Sequence, residues 1–600
     1  MKKELFGKRG FLFGNEAIVR GALESGVGYA SSYPGTPATE IGDTFAAIAK
    51  DTGIYFEWSV NEKVALEAAA GAVFSGIKAL VSMKHYGLNV ASDSLLPLVY
   101  LGCPFVVVVA DDPGSWSSVQ AEQDTRWFSR LIHVPTLEPS NSQEAKDMTK
   151  FAFQFSQKHK IPVLVRLTTR ICYSKSLVNF GKIKKGKKKG KFVKKEFKLG
   201  SAQTVALHKK LLEKLKKIRK DCEKSKLNFI EEGRGKIGII TSGVAYIYIK
   251  EAFQELKIKL PLLKLGFSYP FPSDKVKNFL KNLKKVIVIE ELDPIIEEEV
   301  KKFSKKIKIY GKDFFSEAGE LKPEDILVNL SKILGKKIDR NLSYNIKNYK
   351  EPEKRIPFFC PGCPHRSTFY AVKKALGKKI FAGDIGCYML GVYEPFRMQD
   401  FVVSMGASVG ISHGISKASG QKPVIFIGDS TFFHAGLPSL LNLVYNKANA
   451  LVIVLDNRWT AMTGHQPNPG SGLTGMKKET KIANIEEIAK ALGVDFVKTS
   501  NVWNFSQFVK DLKQAYSIKG VSVIVAKGEC RLAFIRQAVR KGIKLPKFKI
   551  KKQDKKLEQL KDFGCPAIKK EKGKWLIDKD LCWSCSICKQ LFPDLIEVEK

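Results

Sequence analysis

Eight of the eleven cysteines lie between Cys360 and Cys588, and such clustering points to metal or redox chemistry. The last three follow the spacing C-x2-C-x2-C from Cys582 through Cys585, and Cys565 stands upstream before a proline. Zinc commonly takes two separated pairs of ligands, whereas three thiolates at i, i+3 and i+6 wrap one face of an iron-sulfur cube. The spacing therefore favours a 4Fe-4S cluster on Cys565, Cys582, Cys585 and Cys588 over a structural zinc site.

A second set of polar residues follows the ends of two apolar strands. The strand PVIFIGD ends at Gly428, Asp429 and Ser430, a helix-like run follows, and the strand ALVIVLDN ends at Asn457. Carboxylate and amide oxygens suit Mg²⁺, glycine lets the backbone approach a ligand closely, and the amides that open a helix receive phosphates. Gly-Asp alone is common in plain turns. With 26 residues between Ser430 and Asn457 and a strand before each, the pattern indicates a thiamine diphosphate motif.

A thiamine enzyme also needs a glutamate that protonates the aminopyrimidine ring of the cofactor. The string VNEKVALEAAAGAVFSG is similar to the glutamate helix of thiamine-dependent decarboxylases, with a glycine nine residues after the glutamate, which selects Glu62 rather than Glu67. The surrounding small residues predict a helix packed on both sides; the alternative is a surface carboxylate. We assign the cofactor to Glu62, Gly428, Asp429, Ser430, Thr431, Asn457, Trp459, Thr463 and Gly464, with Mg²⁺ on Asp429, Asn457 and the Trp459 carbonyl.

The alternation of strands and helices predicts a multidomain α/β chain. Its fold class is two parallel-sheet, thiamine-diphosphate-binding domains, a transketolase C-terminal-like domain and a small C-terminal ferredoxin-like domain. The predicted ranges are 1–178 for a pyrimidine-binding-type domain, 179–234 for a basic linker and helix, 235–345 for the transketolase C-terminal-like domain, 350–545 for the diphosphate and Mg²⁺ domain, and 546–600 for the 4Fe-4S domain.

The composition is that of a globular protein with an unusual charge. Hydrophobic residues make up 44% and charged residues 27%, which excludes disordered and low-complexity classes. The sequence has no apolar stretch of about 20 residues that could cross a membrane, and we expect a cytoplasmic protein. The net charge of +41 would suit nucleic-acid binding, but lysine is spread from end to end, so a genome-wide bias or an acidic protein partner explains it better. Lysine supplies ten of the seventeen residues in 182–198, which predicts a solvated loop.

Segments along nearly the whole chain resemble the large (alpha) subunits of indolepyruvate ferredoxin oxidoreductases. They are SYPGTPATEI, EWSVNEKVALEAAAGA, MKHYGLNVASD, ADDPGSWSSVQAEQDTR, FCPGCPHR, GDIGCYMLG, SMGASVG, GDSTFFHAGLPSL and DNRWTAMTGHQPNPG. The resemblance implies a thiamine enzyme that oxidatively decarboxylates aryl 2-oxoacids such as indolepyruvate. It implies transfer of the acyl group to coenzyme A, electron transfer to ferredoxin, and a separate small beta subunit.

The C-terminal cysteines also resemble half of a two-cluster bacterial ferredoxin. There, the proline-linked fourth cysteine of one run ligates the cluster held by the other run, and Cys565 fits that role. The other run has Phe592 where its own fourth cysteine would stand. Family members usually carry two intact four-cysteine runs. This chain keeps only one complete set of four, so its tail is expected to hold one cluster.

The remaining clustered cysteines suggest a second cluster. Cys360, Cys363, Cys387 and Cys530 occupy positions similar to the proximal-cluster ligands of the related pyruvate ferredoxin oxidoreductases. A cluster beside the cofactor would accept electrons one at a time. The alternative is a proline-glycine turn together with buried thiols.

Further site residues are assigned by family position. Thr36 would contact the substrate carboxylate, and His85, His434 and His465 would line the reaction cavity as acids or hydrogen-bond donors, unless they are ordinary structural histidines. Arg126 would bind an anion or, more simply, form a surface ion pair.

Two other functions stay open from the sequence. Another 2-oxoacid:ferredoxin oxidoreductase would share every motif, and a nonoxidative thiamine-dependent decarboxylase would share the thiamine motifs without needing the cysteine tail.

Overall fold

The computed structural model describes residues 3–117, 121–192, 201–303, 306–338 and 356–599. The chain forms two compact units, Met1–Pro352 and Glu353–Lys600. Each unit contains a parallel sheet with helices, so the predicted α/β class is confirmed. The predicted boundary between 345 and 350 lies outside the described residues.

The first unit is built on two sheets and a two-stranded ribbon. Its strands are β1 (Arg9–Phe13), β2 (Tyr29–Ser32), β3 (Tyr55–Trp58), β4 (Ala79–Lys84), β5 (Val106–Asp111), β6 (Thr136–Leu137), β7 (Val163–Thr168), β8 (Lys175–Asn179), β9 (Phe229–Glu231), β10 (Ile237–Ser242), β11 (Leu262–Leu265), β12 (Phe267–Tyr269), β13 (Lys285–Ile289) and β14 (Lys308–Tyr310). The sheet orders are β12-β6-β7-β5-β4-β2-β3 and β14-β13-β10-β11-β9, and β1 pairs with β8. Strand β12 falls within the range 235–345 but pairs antiparallel with β6 of the first domain's sheet.

Helices cover the sheets of the first unit. They are Gly14–Ser25, Thr39–Thr52, Glu62–Phe74, His85–Leu101, Arg126–Ile132, Ser142–His159, Thr169–Tyr173, Ser201–Lys224, Ala245–Glu255, Ser273–Leu280, Ile295–Lys301 and Pro323–Leu334. Every residue of β4, β5 and β7 is buried, as expected of parallel strands covered on both faces. None of the described helices is long and apolar enough to span a bilayer.

The lysine-rich segment is a loop with largely exposed side chains over its described part, 182–192, as predicted. Its backbone nevertheless packs against the end of the helix Gly14–Ser25, where the Lys184 amide donates to the Leu23 carbonyl at 3.1 Å. A Cβ atom at Gly186 would lie 2.2 Å from the Val27 carbonyl oxygen, so glycine permits this close approach. Residues 193–198 lie outside the described part.

The second unit contains a six-stranded parallel sheet and two antiparallel ribbons. Its strands are β15 (Phe381–Gly383), β16 (Phe401–Val402), β17 (Val424–Gly428), β18 (Ala450–Asp456), β19 (Phe496–Asn501), β20 (Val521–Lys527), β21 (Phe548–Ile550), β22 (Ile568–Glu571), β23 (Lys574–Ile577) and β24 (Ile596–Val598). The sheet order is β16-β15-β17-β18-β20-β19, with β21 paired to β24 and β22 to β23. Its helices include Pro364–Leu376, Ala407–Ser419, Leu437–Tyr445, Ile485–Ala491, Phe505–Ser517, Arg531–Arg540, Leu560–Phe563 and Ile587–Leu591.

The cysteine-bearing tail packs onto the core of the second unit. Phe563 and Ile587 from the tail belong to the same buried cluster as Phe369 and Tyr370 of the helix Pro364–Leu376. The tail is therefore held against the helix that follows Cys360 and Cys363.

Candidate active site

Asp429 and Asn457 follow neighbouring strands at one edge of the second unit's sheet. Strands β17 and β18 run parallel, with Gly428 opposite Leu455, so both polar residues leave the sheet at its carboxyl edge. Asp429 is only 2% exposed and Asn457 only 6%. Ligand sites of open parallel sheets lie outside this edge, and the topology thus places both predicted Mg²⁺ ligands where such a site is expected.

The carboxylate of Asp429 has one oxygen satisfied and one without a hydrogen-bond donor. Its Oδ1 accepts from the Ser430 amide at 2.6 Å, and Oδ2 makes no hydrogen bond within the described residues, although the nearby Asn468 side chain favours the charged form. Burial, together with the neighbouring Asp456 carboxylate, raises the pKa of Asp429 to about 8. Burying a carboxylate oxygen without a partner costs free energy unless a cation binds it. The oxygen ligands of this site therefore fit a hard divalent ion.

Asn457 is oriented by His365, a residue to which the sequence analysis gave no role. The Asn457 Nδ2 atom lies 3.2 Å from His365 Nε2, and burial lowers the pKa of His365 to about 4. The neutral ring accepts a hydrogen bond from Asn457 Nδ2 at its Nε2 atom, so Asn457 Oδ1 points away from the ring. This Oδ1 atom accepts from the Trp459 backbone amide at 2.9 Å. A carbonyl oxygen has two lone pairs, and the second can meet a cation.

Gly428 lies directly against the Tyr388 ring. A Cβ atom at this position would lie 2.7 Å from the ring, so glycine is required for this contact. The Tyr388 hydroxyl donates to Thr431 Oγ1 at 3.3 Å, and Thr431 in turn donates to the Ile385 carbonyl at 3.1 Å. Thr431 is thus tied to the loop after β15.

The loop after Asn457 folds back on itself beside Ser430. The Thr460 hydroxyl lies 2.9 Å from that of Ser430, and Thr463 donates to the Gln466 side chain at 2.6 Å. Gly464 has φ +128°, a conformation that favours glycine. The sequence-predicted residues Trp459, Thr463 and Gly464 therefore lie together in one turn.

The two histidines assigned to the second unit lie on different elements. His434 is buried in a π-helical segment, Phe432–Gly436, that follows the turn Asp429–Thr431, and π-helical turns often mark functional sites. His465 Nε2 lies 3.2 Å from Cys530 Sγ, and burial lowers the pKa of His465, with nearby Arg536 adding to the effect.

Thr36, Glu62 and His85 follow the adjacent strands β2, β3 and β4 of the first unit. Glu62 opens the helix Glu62–Phe74 and is buried, so the surface alternative is wrong for it. A Cβ atom at Gly87 would lie 2.5 Å from Glu62 Cγ, so this glycine makes room for the carboxylate. The opposite face of the helix is exposed at Val64, in contrast to the predicted packing on both sides.

His85 is fully buried at the end of β4. Its Nδ1 lies 3.4 Å from the Ala110 carbonyl oxygen, and its Nε2 has no hydrogen-bond partner among the described residues. Burial lowers the pKa of His85, which favours the neutral ring.

Lys84, immediately before His85, was missed by the sequence analysis. It is 8% exposed, and its Nζ donates to Ser117 Oγ at 2.6 Å. The Ser117 hydroxyl lies 3.2 Å from the Thr36 carbonyl oxygen, which places the lysine beside the predicted substrate residue. Burial lowers the pKa of Lys84 to about 8, although nearby Asp112 opposes this. The sequence did contain a signal for Lys84, because a lysine at the end of an otherwise apolar strand is unusual.

Arg126 forms an ion pair, as one of its two alternatives predicted, but the pair is buried. Arg126 is 1% exposed, and its guanidinium donates to Glu290 at 2.5 Å and to Asp124 at 2.5 Å. It also donates to the Glu291 carbonyl at 2.7 Å. The carboxylates of Asp124 and Glu290 balance the charge of Arg126. The arginine therefore joins the loop before it to the end of β13 instead of binding an anion.

The four C-terminal cysteines line one cavity. Cys565, Cys582, Cys585 and Cys588 face this space together with Gly362 from the Cys360 loop. After burial, the main groups that raise the pKa of Cys588 are the other three thiols, which are close enough to repel its charged form. The four side chains therefore converge, as the spacing predicts.

The second set of cysteines also converges. Burial raises the pKa of Cys387, and the thiols of Cys363, Cys530 and Cys360 raise it further by like-charge repulsion. Within the described ranges, no three His, Cys, Asp or Glu side chains are arranged tightly enough to hold a single metal ion. Neither set has the compact arrangement of a mononuclear zinc site.

A cavity of about 520 Å³ in the first unit lies away from these residues. It is lined by the ends of helices at Gly26, Gly76 and Gly102 and by lysines including Lys78 and Lys184. This is the amino edge of the sheet, where helix carboxyl ends disfavour anions and the lysines offset the helix dipoles. This cavity is therefore separate from the site at the carboxyl edge of the sheet.

Three family patterns match the sequence. Residues 20–202 match "Pyruvate flavodoxin/ferredoxin oxidoreductase, thiamine diP-bdg", residues 228–352 match "Indolepyruvate oxidoreductase domain", and residues 384–526 match "Thiamine pyrophosphate enzyme, C-terminal TPP binding domain". Together with the sheet-edge site, they define a thiamine-diphosphate-dependent oxidoreductase, which confirms the predicted class of enzyme and its organic cofactor.

Relatives extend over almost the whole chain. The "Indolepyruvate oxidoreductase subunit IorA" of Thermococcus kodakarensis is 42% identical over 98% of this chain and 96% of its own length. That of Methanothermobacter marburgensis is also 42% identical, over 98% of this chain and 97% of its own. A solved 2-oxoglutarate:ferredoxin oxidoreductase from Magnetococcus marinus is 19% identical over 54% of this chain and 65% of that one, with a TM-score of 0.45. On the strength of the two full-length relatives, the chain belongs to the indolepyruvate oxidoreductase subunit IorA family, and the predicted resemblance is confirmed.

Proposed function

We propose that the chain is the large subunit of an indolepyruvate ferredoxin oxidoreductase. The reaction converts an aryl 2-oxoacid, coenzyme A and two oxidised ferredoxins into the aryl-acetyl-CoA, CO₂, two reduced ferredoxins and a proton. The observation that carries the proposal is the buried, partly unsatisfied Asp429 beside Asn457 at the carboxyl edge of a sheet whose neighbouring strand ends lead to Cys387 and Cys530. A nonoxidative decarboxylase has no use for these cysteines.

Asp429 and Asn457 would hold Mg²⁺ through one carboxylate and one amide oxygen, with the Trp459 carbonyl as a third protein ligand. His365 keeps the Asn457 oxygen directed away from its own ring. Ser430, Thr463 and Gly464 lie next to this pair and would bind the diphosphate. Bound thiamine diphosphate supplies the nucleophile and the electron sink that decarboxylation of a 2-oxoacid requires.

The first unit would supply the proton-handling residues. Glu62 would exchange a proton with the aminopyrimidine ring of the bound cofactor, and its burial would keep water from competing. Because neutral His85 donates from Nδ1 to the Ala110 carbonyl, its unsatisfied Nε2 would accept a hydrogen bond or a proton from the substrate. Thr36 would contact the substrate carboxylate, and His434 and His465 would act as hydrogen-bond donors in the second unit.

Lys84 would provide the positive charge for the substrate carboxylate. Because burial lowers its pKa to about 8, the free enzyme loses this charge as the pH rises through that value. We expect kcat/KM for the 2-oxoacid to fall above about pH 8, and Lys84→Met to raise KM by roughly 10- to 100-fold, the loss of one charged hydrogen bond. Steady-state kinetics from pH 6 to 10 test this. Lys175→Met, at an exposed lysine of the same unit, is the control, and an unchanged KM in Lys84→Met would contradict the role.

Both cysteine sets would hold 4Fe-4S clusters. Four thiols meet in each set, yet neither has the tight arrangement of a zinc site. Clusters accept one electron each, which suits stepwise oxidation beside the thiamine site. Cys530 is near that site, since its amide donates to the Asn457 carbonyl at 3.2 Å.

Iron content tests the two clusters. Anaerobically purified wild type should contain about eight irons per chain, and Cys585→Ser or Cys363→Ser should each reduce this to about four, because each removes a thiolate from one four-cysteine set. Cys222→Ser, at a buried solitary thiol, should keep the wild-type content. About four irons in the wild type would exclude the second cluster.

The partners would be a small beta subunit and ferredoxin. Exposed lysines of the tail, such as Lys551 and Lys552, would attract an acidic ferredoxin to the cluster nearest the surface. Free thiolate ligands require a reducing compartment, so we place the protein in the cytoplasm.

Substrate preference tests the proposed function. The chain, combined with its beta subunit under anaerobic conditions, should reduce viologen with a higher kcat/KM for indolepyruvate and phenylpyruvate than for pyruvate. A preference for pyruvate would overturn the aryl assignment while leaving the class of enzyme intact.

A further inference from the structure

Arg366 lies between the two cysteine sets. It is the third residue of the helix Pro364–Leu376 and is 1% exposed. Its guanidinium donates to the carbonyls of Phe563, at 3.3 Å, and of Gly564, which precedes Cys565. It also donates to the carbonyls of Phe359 and Cys360. The Arg366 side chain therefore joins the loop at Cys360, in one cysteine set, to the loop at Cys565, in the other.

The charge of Arg366 has no carboxylate partner among the described residues. Two other arginines are as deeply buried, and each has at least one carboxylate partner: Arg20 pairs with Glu24 at 3.1 Å, and Arg126 pairs with Asp124 and Glu290. The partners of Arg366 are neutral carbonyl oxygens, and its Nε has no acceptor. An uncompensated buried charge is costly, so an anion is expected nearby.

The groups that supply this anionic charge are the cysteines. Burial lowers the pKa of Arg366, and the groups that oppose this are Cys565, Cys363, Cys585 and Cys360, two from each set. As protonated thiols they would leave the guanidinium unbalanced. As cluster ligands they are thiolates, and the arginine then faces negative charge on two sides.

The two sets are also in contact through Gly362. A Cβ atom at Gly362 would lie 3.2 Å from the Cβ of Cys585, and its φ of +62° suits glycine. The Gly362 amide favours the charged form of Cys565 through a hydrogen bond. The loop between Cys360 and Cys363 therefore touches the cavity of the C-terminal set, and a charge placed there acts on both sets.

We propose that Arg366 is a shared counter-cation that raises the reduction potentials of both clusters. The inference rests on the cluster assignments of the proposed function. Each reduction adds one electron, and a fixed positive charge in a buried site stabilises the added negative charge. A single cation beside both clusters raises both potentials and so makes each cluster a better electron acceptor. Arg366 is thus a positioning and tuning residue rather than a catalytic one.

Redox titration of the anaerobic holoenzyme, monitored by electron paramagnetic resonance, tests this. Arg366→Gln removes the charge and should shift the midpoint potentials of both clusters to more negative values. Arg366→Lys keeps the charge and should restore most of the shift. Arg531→Gln is the matched control: Arg531 follows Cys530 and lies close to Cys585 and Cys582, but it is half-buried and donates to the Trp583 and Ser584 carbonyls. Its shift should be smaller for both clusters, because water screens a half-buried charge.

The outcomes separate the inference from the proposed function. Eight irons per chain with unchanged potentials in Arg366→Gln would overturn the role of Arg366 alone. About four irons in the wild type would overturn both the second cluster and the sharing of the cation. Equal loss of iron from the Gln and Lys variants would show that Arg366 only holds the two loops together and would overturn the electrostatic role.

Discussion

Asp429→Asn is expected to eliminate measurable oxidative decarboxylation by the chain and its beta subunit. The change removes the negative charge of the principal Mg²⁺ ligand while keeping its size, and the amide places a donor where the unsatisfied Oδ2 lies. Altering a group that merely supports a metal ligand typically costs 10- to 100-fold in affinity, so we expect a loss of more than about 100-fold in Mg²⁺-dependent binding of thiamine diphosphate. Calorimetric titration of the cofactor with and without Mg²⁺ measures it.

The matched control for this prediction is Asp495→Asn. Asp495 belongs to the same unit, but it accepts from the Val521 amide at the start of β20, at the opposite edge of the sheet. This variant should bind cofactor and Mg²⁺ as the wild type does. Equal cofactor affinity in Asp429→Asn and the wild type would refute the assignment of Asp429 as a ligand.

Glu62→Gln is expected to lower turnover by roughly 10²- to 10⁴-fold, the range for loss of a positioned acid or base. The amide has the same shape as the carboxylate that fits beside Gly87, so cofactor binding should persist. The rate of deuterium exchange at the thiazolium C2 of the bound cofactor, followed by NMR, should fall in parallel with turnover. This readout distinguishes a failure of activation from a failure of substrate binding.

Glu67→Gln provides the control on the same helix. Glu67 is exposed and interacts with Lys63 at 3.3 Å and with Ser94 at 2.6 Å, so its loss should change turnover little. If Glu67→Gln abolished exchange while Glu62→Gln did not, the choice between the two glutamates would be reversed.

The sequence was sufficient where a functional residue directly follows a strand. Asp429 and Asn457 were predicted to meet because consecutive parallel strands place their carboxyl ends at one sheet edge, and β17 and β18 are indeed neighbours. The C-terminal cysteines were predictable for a similar reason, since three of the four lie within one short loop and its helix.

The sequence was insufficient where a partner comes from a distant part of the chain. His365 lies 92 residues before the asparagine that it orients, and Glu290 lies 164 residues after Arg126. No local pattern reveals that Arg126 is buried. Tyr388, which occupies the space beside Gly428, was missed because the glycine was interpreted from its motif alone, without knowledge of the loop after β15.

The lysine-rich segment 182–192 shows that composition also fails to reveal backbone contacts with distant parts of the chain. Its composition correctly indicates exposed side chains in the described residues, but composition does not report that glycines at 186 and 190 let the main chain lie against the first unit. Side-chain chemistry and backbone placement are separate properties of such a segment.

The most direct test supplies carboxyl-labelled indolepyruvate to the anaerobic, cofactor-loaded holoenzyme and measures CO₂ and reduced viologen together. We predict about two viologens reduced per CO₂, one for each electron carried singly by the clusters, and formation of the thioester only when coenzyme A is present. Release of CO₂ with the free aldehyde and without viologen reduction would contradict the oxidoreductase assignment.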